Sequence, residues 1–519
     1  MKKIFFLLTL YMVNLLPLTG DCQGNPRVPS PPLRPPEACR RRCAPRLVAG
    51  KNIALVQTEY GKVRGYIHHG IYTFKGIPYG KAKRFMPPEQ PSSWKGIRSS
   101  MTYGPTCPGI QQAPFKDEFE FPLNRSRGYY IGENCLNLNI WSNLTSGAEK
   151  RPVMVWLHGG GFSSGSSIEF PSYDGENLSR KGNVVVVSIN HRLNTLGFLD
   201  LSAYGEKYKY SANAGMMDIV AALNWIRENI SNFGGDLDNV TIFGQSGGGA
   251  KVWCLMNTPS AKGLFHKAVI QSGSYLTHFI EPAISRQVAA ETLKELGLRP
   301  DQADSLQSVP YERLAAAGEN ALQSVRQSLP EDTSGFGLEW EPVHDGDFLP
   351  AQPGEPLAIK LSKDIPLLVG SCKNEYMPYI LGPETDPQTV KPSDYIDKLF
   401  RPLVIRQANE RSSLVAAPVY VYLFAWQSPV LDGAYKAFHC MDLPFVFNNI
   451  SRCEEMTGGG QKAWLLADKM SEAWIQFARN GNPNHKGLPN WPAYTVKNGA
   501  TMIFDNKCLV RLATMPKAR

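Results

Sequence analysis

Apolar residues fall along the chain in two recurring patterns. Pro152 to Leu157 (Pro-Val-Met-Val-Trp-Leu) and Asn183 to Ile189 (Asn-Val-Val-Val-Val-Ser-Ile) are continuous and β-branched instead of alternating. Such runs fit strands buried on both faces of a mostly parallel sheet, where neither side of the strand meets water. Val240 to Phe243, Lys267 to Gln271, Ile365 to Gly370 and Val419 to Phe424 are four further strand candidates. Between Met216 and Phe233 the pattern changes: Met216, Ile219, Val220, Leu223, Ile226 and Ile230 recur at helical spacing. Strand, helix, strand in this rhythm predicts a doubly wound α/β fold, its mostly parallel sheet covered by helices on both faces. Residues 280–340 read as helical between two strands, and so as a lid-like insertion. No internal repeat is present.

The N-terminus departs from this rhythm. Met1-Lys2-Lys3, an apolar run from Ile4 to Leu18 and then Thr19-Gly20 read as a secretory signal peptide over residues 1–20. An uncleaved anchor is the competing reading, which Asn14 and Pro17 disfavour by interrupting the run. Residues 21–50, with Pro31-Pro32 and Pro35-Pro36, read as a flexible or polyproline-like linker. That leaves residues 51–519 for the folded body. A chain of 519 residues suggests roughly three domains by length, but a single continuous rhythm argues for one enlarged domain.

Charge changes the picture only once it is located. A net +9 invites a nucleic-acid or acidic-membrane reading. Residues 1–50, however, hold eight Lys/Arg against two acids, so the remainder carries only +3. The composition, 43% hydrophobic and 19% charged, excludes a disordered chain, a collagen-like repeat and a disulfide miniprotein. Ten cysteines fit an exported chain in which some pair. None shows the paired Cys-x-x-Cys spacing of a zinc site, and Cys39 and Cys43 offer at most a weak one. Six Asn-x-Ser/Thr sequons begin at Asn124, Asn143, Asn177, Asn229, Asn239 and Asn449.

The chemistry concentrates where strands end. Val240 to Phe243 runs into Gly244-Gln245-Ser246-Gly247-Gly248, followed by an apolar helical stretch. This is Gly-x-Ser-x-Gly in strand–turn–helix context, in which the glycines let strand and helix approach and Ser246 heads a helix whose dipole favours negative charge. Trp156-Leu157-His158-Gly159-Gly160-Gly161-Phe162 follows a buried strand. A glycine run there lets backbone N–H groups of Gly160 and Gly161, with that of Gly247, line an oxyanion hole. In the chain order Ser, acid, His, three histidines lie far enough downstream: His344, His439 and His485. His439, in a loop beyond the strand Val419 to Phe424, is the favoured general base, whereas His485 sits in a surface turn and His344 precedes the favoured acid. Glu375, just past the strand ending at Gly370, is that acid, with Asp345, Asp347 and Asp442 competing.

Taken together these stretches resemble the type-B carboxylesterases, which include the cholinesterases. The resemblance also rests on Thr73 to Tyr79, Glu133 to Trp141, Phe233-Gly234-Gly235-Asp236, Gln271-Ser272-Gly273, Pro342 to Gly346, Gly370 to Glu375 and His439 to Phe447, and spans about residues 55 to 505. It implies one α/β-hydrolase domain and hydrolysis of small-molecule carboxylic esters without cofactor or metal, with no call for nucleic acid or an obligatory membrane. It supports Ser246, Glu375 and His439 as the triad and implies a disulfide Cys107–Cys135 at the rim of a gorge, Cys440–Cys453 being the next pair. Two departures stand out. Gln245 replaces the acid usual before the nucleophile, and the loop between Cys107 and Cys135 holds no Trp. Both remove features that cholinesterases use for cationic choline. His158 and the three glycines give the lipase-like form found in sterically tolerant esterases, which points to bulky alcohol groups. Two alternatives remain: a thioesterase or amidase using the same triad, and a non-catalytic interaction protein of the same fold.

Overall fold

The computed structural model describes residues 46–109, 121–122, 130–144, 149–330, 337–375, 400–414 and 416–513. The signal-peptide reading of residues 1–20 and most of the linker lie outside the described residues. One twelve-stranded sheet organises the body. Its strands are β1 (Leu47–Val48), β2 (Tyr66–His68), β3 (Ile71–Pro78), β4 (Asn137–Ser142), β5 (Arg151–Leu157), β6 (Val185–Ile189), β7 (Gly235–Gln245), β8 (Lys267–Gln271), β9 (Leu367–Cys372), β10 (Val419–Phe424), β11 (Thr501–Phe504) and β12 (Leu509–Arg511). The spatial order is β1-β2-β3-β4-β6-β5-β7-β8-β9-β10-β11-β12. From β6 to β11 neighbouring strands run parallel, while both margins are antiparallel. Strand β1 falls within the stretch that reads as linker from sequence. A separate three-stranded sheet forms from Leu55–Thr58, Gly61–Arg64 and Ile97–Ser99.

The continuous apolar runs have the expected cause. Along β5, Val153, Val155 and Leu157 enter one core while Met154 and Trp156 enter another on the opposite face. Along β6, Val185, Val187 and Ile189 join the first and Val186 the second. Both faces are covered, so alternation vanishes from the sequence. Helix α1 (Glu176–Gly182) precedes β6, α2 (Ala214–Asn229) precedes β7 and α3 (Gly247–Met256) follows it. Between β8 and β9 are inserted α4 (Pro282–Glu295) and α5 (Tyr311–Ser328), which pack on each other. Helix α6 (Phe400–Leu414) precedes β10, and α7 (Gln461–Asn480) packs in the second core.

Topology fixes where a site can form. The chain passes from β5 outward to β6, then returns to place β7 on the other side of β5. The loops leaving β5 and β7 therefore diverge at a reversal of strand order, where open α/β sheets offer a crevice at their carboxyl ends. The first of these loops is the glycine run His158–Gly161 and the second is the turn at Ser246.

Candidate active site

Strand β7 ends at Gln245 and α3 begins at Gly247, leaving Ser246 alone in the turn with φ 55° and ψ −126°. A non-glycine residue rarely adopts this backbone, and the neighbouring structure holds it there. The Ser246 N–H donates to Gln271 O at 2.8 Å, and Ala250 N–H donates to Ser246 O at 3.0 Å. A Cβ on Gly244 would overlap the backbone of Gly248, and one on Gly248 would overlap the carbonyl of Leu157. Only glycine at both positions lets β7, α3 and the end of β5 meet.

The glycine loop seats against this turn. Gly160 and Gly161 have φ of 86° and 60°, in the left-handed region that disfavours a side chain. A Cβ on Gly247 would strike the backbone of Gly161, so two of the three predicted oxyanion residues are in close contact. Gly160 O accepts from Ser164 N–H at 3.0 Å and Ser164 Oγ at 3.2 Å. His158 Nδ1 lies 2.8 Å from Gly159 O, which makes this nitrogen the donor and leaves Nε2 unprotonated. Burial, followed by the charge of Lys251, pushes His158 down to about 3 and His191 well below the usual range. The two rings stack at 5.0 Å as neutral imidazoles.

Loops leaving β9 and β10 bring the acid and the base together. Asn374 N–H donates to Ala437 O at 2.9 Å and His439 N–H to Glu375 O at 3.0 Å, zipping one loop to the other. Glu375 Oε2 is then 2.5 Å from His439 Nδ1. Its Oε1 accepts from Ser272 Oγ and from Cys372 N–H, each at 2.7 Å. With Glu375 buried and all these bonds made, its orientation is over-determined. On the other edge of the imidazole, Nε2 lies 3.0 Å from the side-chain amide nitrogen of Gln245, whose Oε1 accepts from Cys440 Sγ at 3.4 Å.

The competing residues are engaged elsewhere. Asp442 Oδ2 accepts from Gln271 Nε2 and Tyr422 Oη at 2.9 Å each, and burial raises it to about 6. Asp345 accepts from Asn213 and from the N–H groups of Asp347 and Leu349, while Asp347 pairs with Lys209. His344 lies 3.9 Å from Glu281, and His485 Nε2 lies 3.0 Å from Lys469 O.

Most of the chain matches known proteins. The model of the carboxylesterase family matches residues 52–415 and 393–514. This chain belongs to that family. A para-nitrobenzyl esterase of Bacillus subtilis is 35% identical over 88% of this chain and 96% of its own length. A phenmedipham hydrolase of Pseudarthrobacter oxydans is 32% identical over 87% and 95%. Among solved structures, an esterase from Clostridium hathewayi described as hydrolysing aliphatic aromatic polyesters superposes with a TM-score of 0.79 at 39% identity, covering 89% of this chain and 96% of that one. The carboxylesterase is accordingly a carboxylic-ester hydrolase on the α/β-hydrolase fold.

Three contacts of this carboxylesterase come from the tertiary structure. Ser272 orients Glu375, and its only signal is the Gln271-Ser272-Gly273 turn directly after β8. Gln245 meets the imidazole itself and not merely the wall of the pocket. Lys251 is fully buried in a helix whose other residues are small or apolar, and that anomaly was visible in the sequence. One expectation is corrected. Cys107 and Cys135 are buried free thiols rather than a disulfide. They lie in hydrogen-bond contact, which together with burial raises Cys135 well above the usual thiol range. Adjacency alone does not form the bond, since two electrons must leave the pair. Cys453 is likewise a free thiol, so it is not paired with Cys440.

Proposed function

We propose that this carboxylesterase acts through an acyl-enzyme on neutral small to medium esters, with Ser246 as nucleophile, His439 as general base and Glu375 as the acid that orients it. The observation that carries this reading is the Glu375–His439 hydrogen bond beside a strained serine turn that packs on a glycine loop. Glu375 holds the Nδ1–H tautomer, leaving Nε2 to take the proton of Ser246 as Oγ attacks the ester carbonyl. Substrate entry would exchange the Gln245 contact at Nε2 for that of Ser246 Oγ. The N–H groups of Gly160, Gly161 and Gly247 would hold the oxyanion. After alcohol leaves, water attacks the acyl-enzyme with the same base, and the free enzyme returns.

Two finer readings accompany it. Gln245 in place of an acid argues against choline esters, and the open glycine loop supports bulky alcohol groups. Export through residues 1–20 would place the chain in an oxidising compartment.

A chain-length panel of p-nitrophenyl esters, with tert-butyl acetate and matched thioester and amide substrates alongside, tests substrate class. Ser246→Ala is expected to lower kcat on p-nitrophenyl butyrate by at least about 10⁴-fold. Turnover at the wild-type rate in that variant would sink the assignment.

A further inference from the structure

A lysine lies beneath the glycine loop. Lys251 Nζ donates to Gly161 O at 2.6 Å and to His158 O at 3.1 Å, and it sits 5.3 Å from the centre of the Phe162 ring. The residue has no exposed surface, and burial pushes it down to about 7 against the opposing charge of Glu169. Burying an ammonium is costly, so a fold retains one where its charge or hydrogen bonds are used.

The two carbonyls it holds are informative. His158 O belongs to the peptide that ends at Gly159 N–H, and Gly161 O to the peptide that ends at Phe162 N–H. Between them lie the two peptides that carry the N–H groups of Gly160 and Gly161. Those inner peptides have their own carbonyls fixed, Gly159 O by His158 Nδ1–H and Gly160 O by Ser163 and Ser164. All four consecutive carbonyls of the segment therefore have a hydrogen-bond donor within the protein. Without such fixing, a run of three glycines would sample many backbone conformations.

We propose that Lys251 is a positioning residue of the oxyanion hole, its Nζ–H groups clamping both ends of the donor segment so that the Gly160 and Gly161 N–H groups stay turned toward the reacting carbonyl. The proposal rests on the assignment of those glycines as oxyanion donors. Lys251 touches neither substrate nor reacting atoms, and it acts through the loop.

The test compares the full-length enzyme with Lys251→Met, which keeps the length of the stem, and Lys251→Gln, which keeps an N–H donor. A trifluoromethyl ketone binds covalently to the serine and places an oxyanion in the hole; the matched methyl ketone binds without one. In Lys251→Met, kcat for p-nitrophenyl butyrate is expected to fall about 10- to 100-fold with KM within about threefold. Affinity for the trifluoromethyl ketone should fall by a similar factor while that for the methyl ketone holds, and Lys251→Gln should lie between. A general packing role would weaken both ketones together. Wild-type kcat in Lys251→Met, or equal loss of both ketones, overturns the proposal. Should Lys251→Met fail to fold, the ketone ratio in Lys251→Gln decides. Failure of the esterase reading is separate, since it would appear as wild-type enzyme that never depends on Ser246.

Discussion

At the scale of single residues, orientation is supplied by groups that never react. Glu375 is held by Ser272 Oγ and Cys372 N–H, so its free oxygen has one direction in which to meet His439. Glu375→Gln keeps the shape but offers an amide where a carboxylate stabilised the imidazolium, and it permits the wrong tautomer. Its kcat is expected to fall about 10³- to 10⁴-fold with little change in KM, read by steady-state hydrolysis of p-nitrophenyl butyrate. Lys251 leaves a different mark, on stability. Its folded pKa is lowered to about 7 from 10.5, so between these values the unfolded chain binds a proton that the folded one does not. Stability from this group is full above the unfolded value and is lost as pH falls through about 7. The stability of wild type relative to Lys251→Met should therefore be level below about pH 7 and rise above it, by up to about 1.4 kcal/mol per pH unit. His158 and His191 lie near enough to feel the Lys251 charge but stay neutral across this window, and Glu169 opposes the shift. Urea denaturation of both proteins at pH 6 and pH 9 checks the slope, and a flat difference would show that the ammonium does not titrate.

Elements meet at the site because side chains are missing. Gly248 lets the first turn of α3 lie on the carbonyl end of β5, and Gly244 lets β7 reach under it. In Gly248→Ala the methyl group would push α3 off Leu157 O and carry Ser246 with it. Misplacement by about 1 Å is expected to cost about 10²-fold in kcat, measured on the same ester, with the folded structure checked by circular dichroism. This elbow was legible because glycine at two fixed offsets from a serine, after a buried strand, has few other uses. Strands β8 and β10 coincide with their apolar runs to the residue. Strand β7 extends further than its apolar core suggests, starting at Gly235 and running through Asp236-Leu237-Asp238-Asn239, which lie outside the apolar run. Pairing with β5 carries it through a register shift there. Strand β3 was invisible as a strand because Gly76 and Pro78 break its pattern; a bulge against β4 accommodates Gly76, and Pro78 sits at the strand end opposite Asn137.

Across the whole molecule, one buried ion pair ties distant segments together. Arg192, in the loop after β6, donates through Nε and Nη2 to Asp218 of α2 at 2.8 and 2.6 Å. Its Nη1 reaches Lys83 O and Met86 O, more than a hundred residues earlier. Both side chains are almost wholly buried. Arg192→Met would strand the Asp218 carboxylate in the core, and a loss of about 3–5 kcal/mol in unfolding free energy is expected from urea denaturation. A change below about 1 kcal/mol would mean that water or another donor reaches Asp218.

The sequence by itself determined the local chemistry of this protein: which segments form buried strands, which serine sits in a turn that only glycines permit, and which loop has bare backbone to offer an oxyanion. These depend on residue type and short spacing, and a chain cannot hide them. Tertiary structure alone decided the pairings. That Glu375 and not Asp442 meets His439 follows from parallel strands β9 and β10 lying side by side, which aligns loops 64 residues apart. Asp442 is adjacent in sequence to Cys440 and Met441, yet its carboxylate is turned toward Tyr422 and Gln271. Ser272 acquires Glu375 in the same way, from β8 beside β9, whereas Gln245 meets the loop after β10 and Lys251 reaches the loop after β5 from helix α3. Register between distant strands is set by the packing of the whole sheet, and no window of sequence contains it.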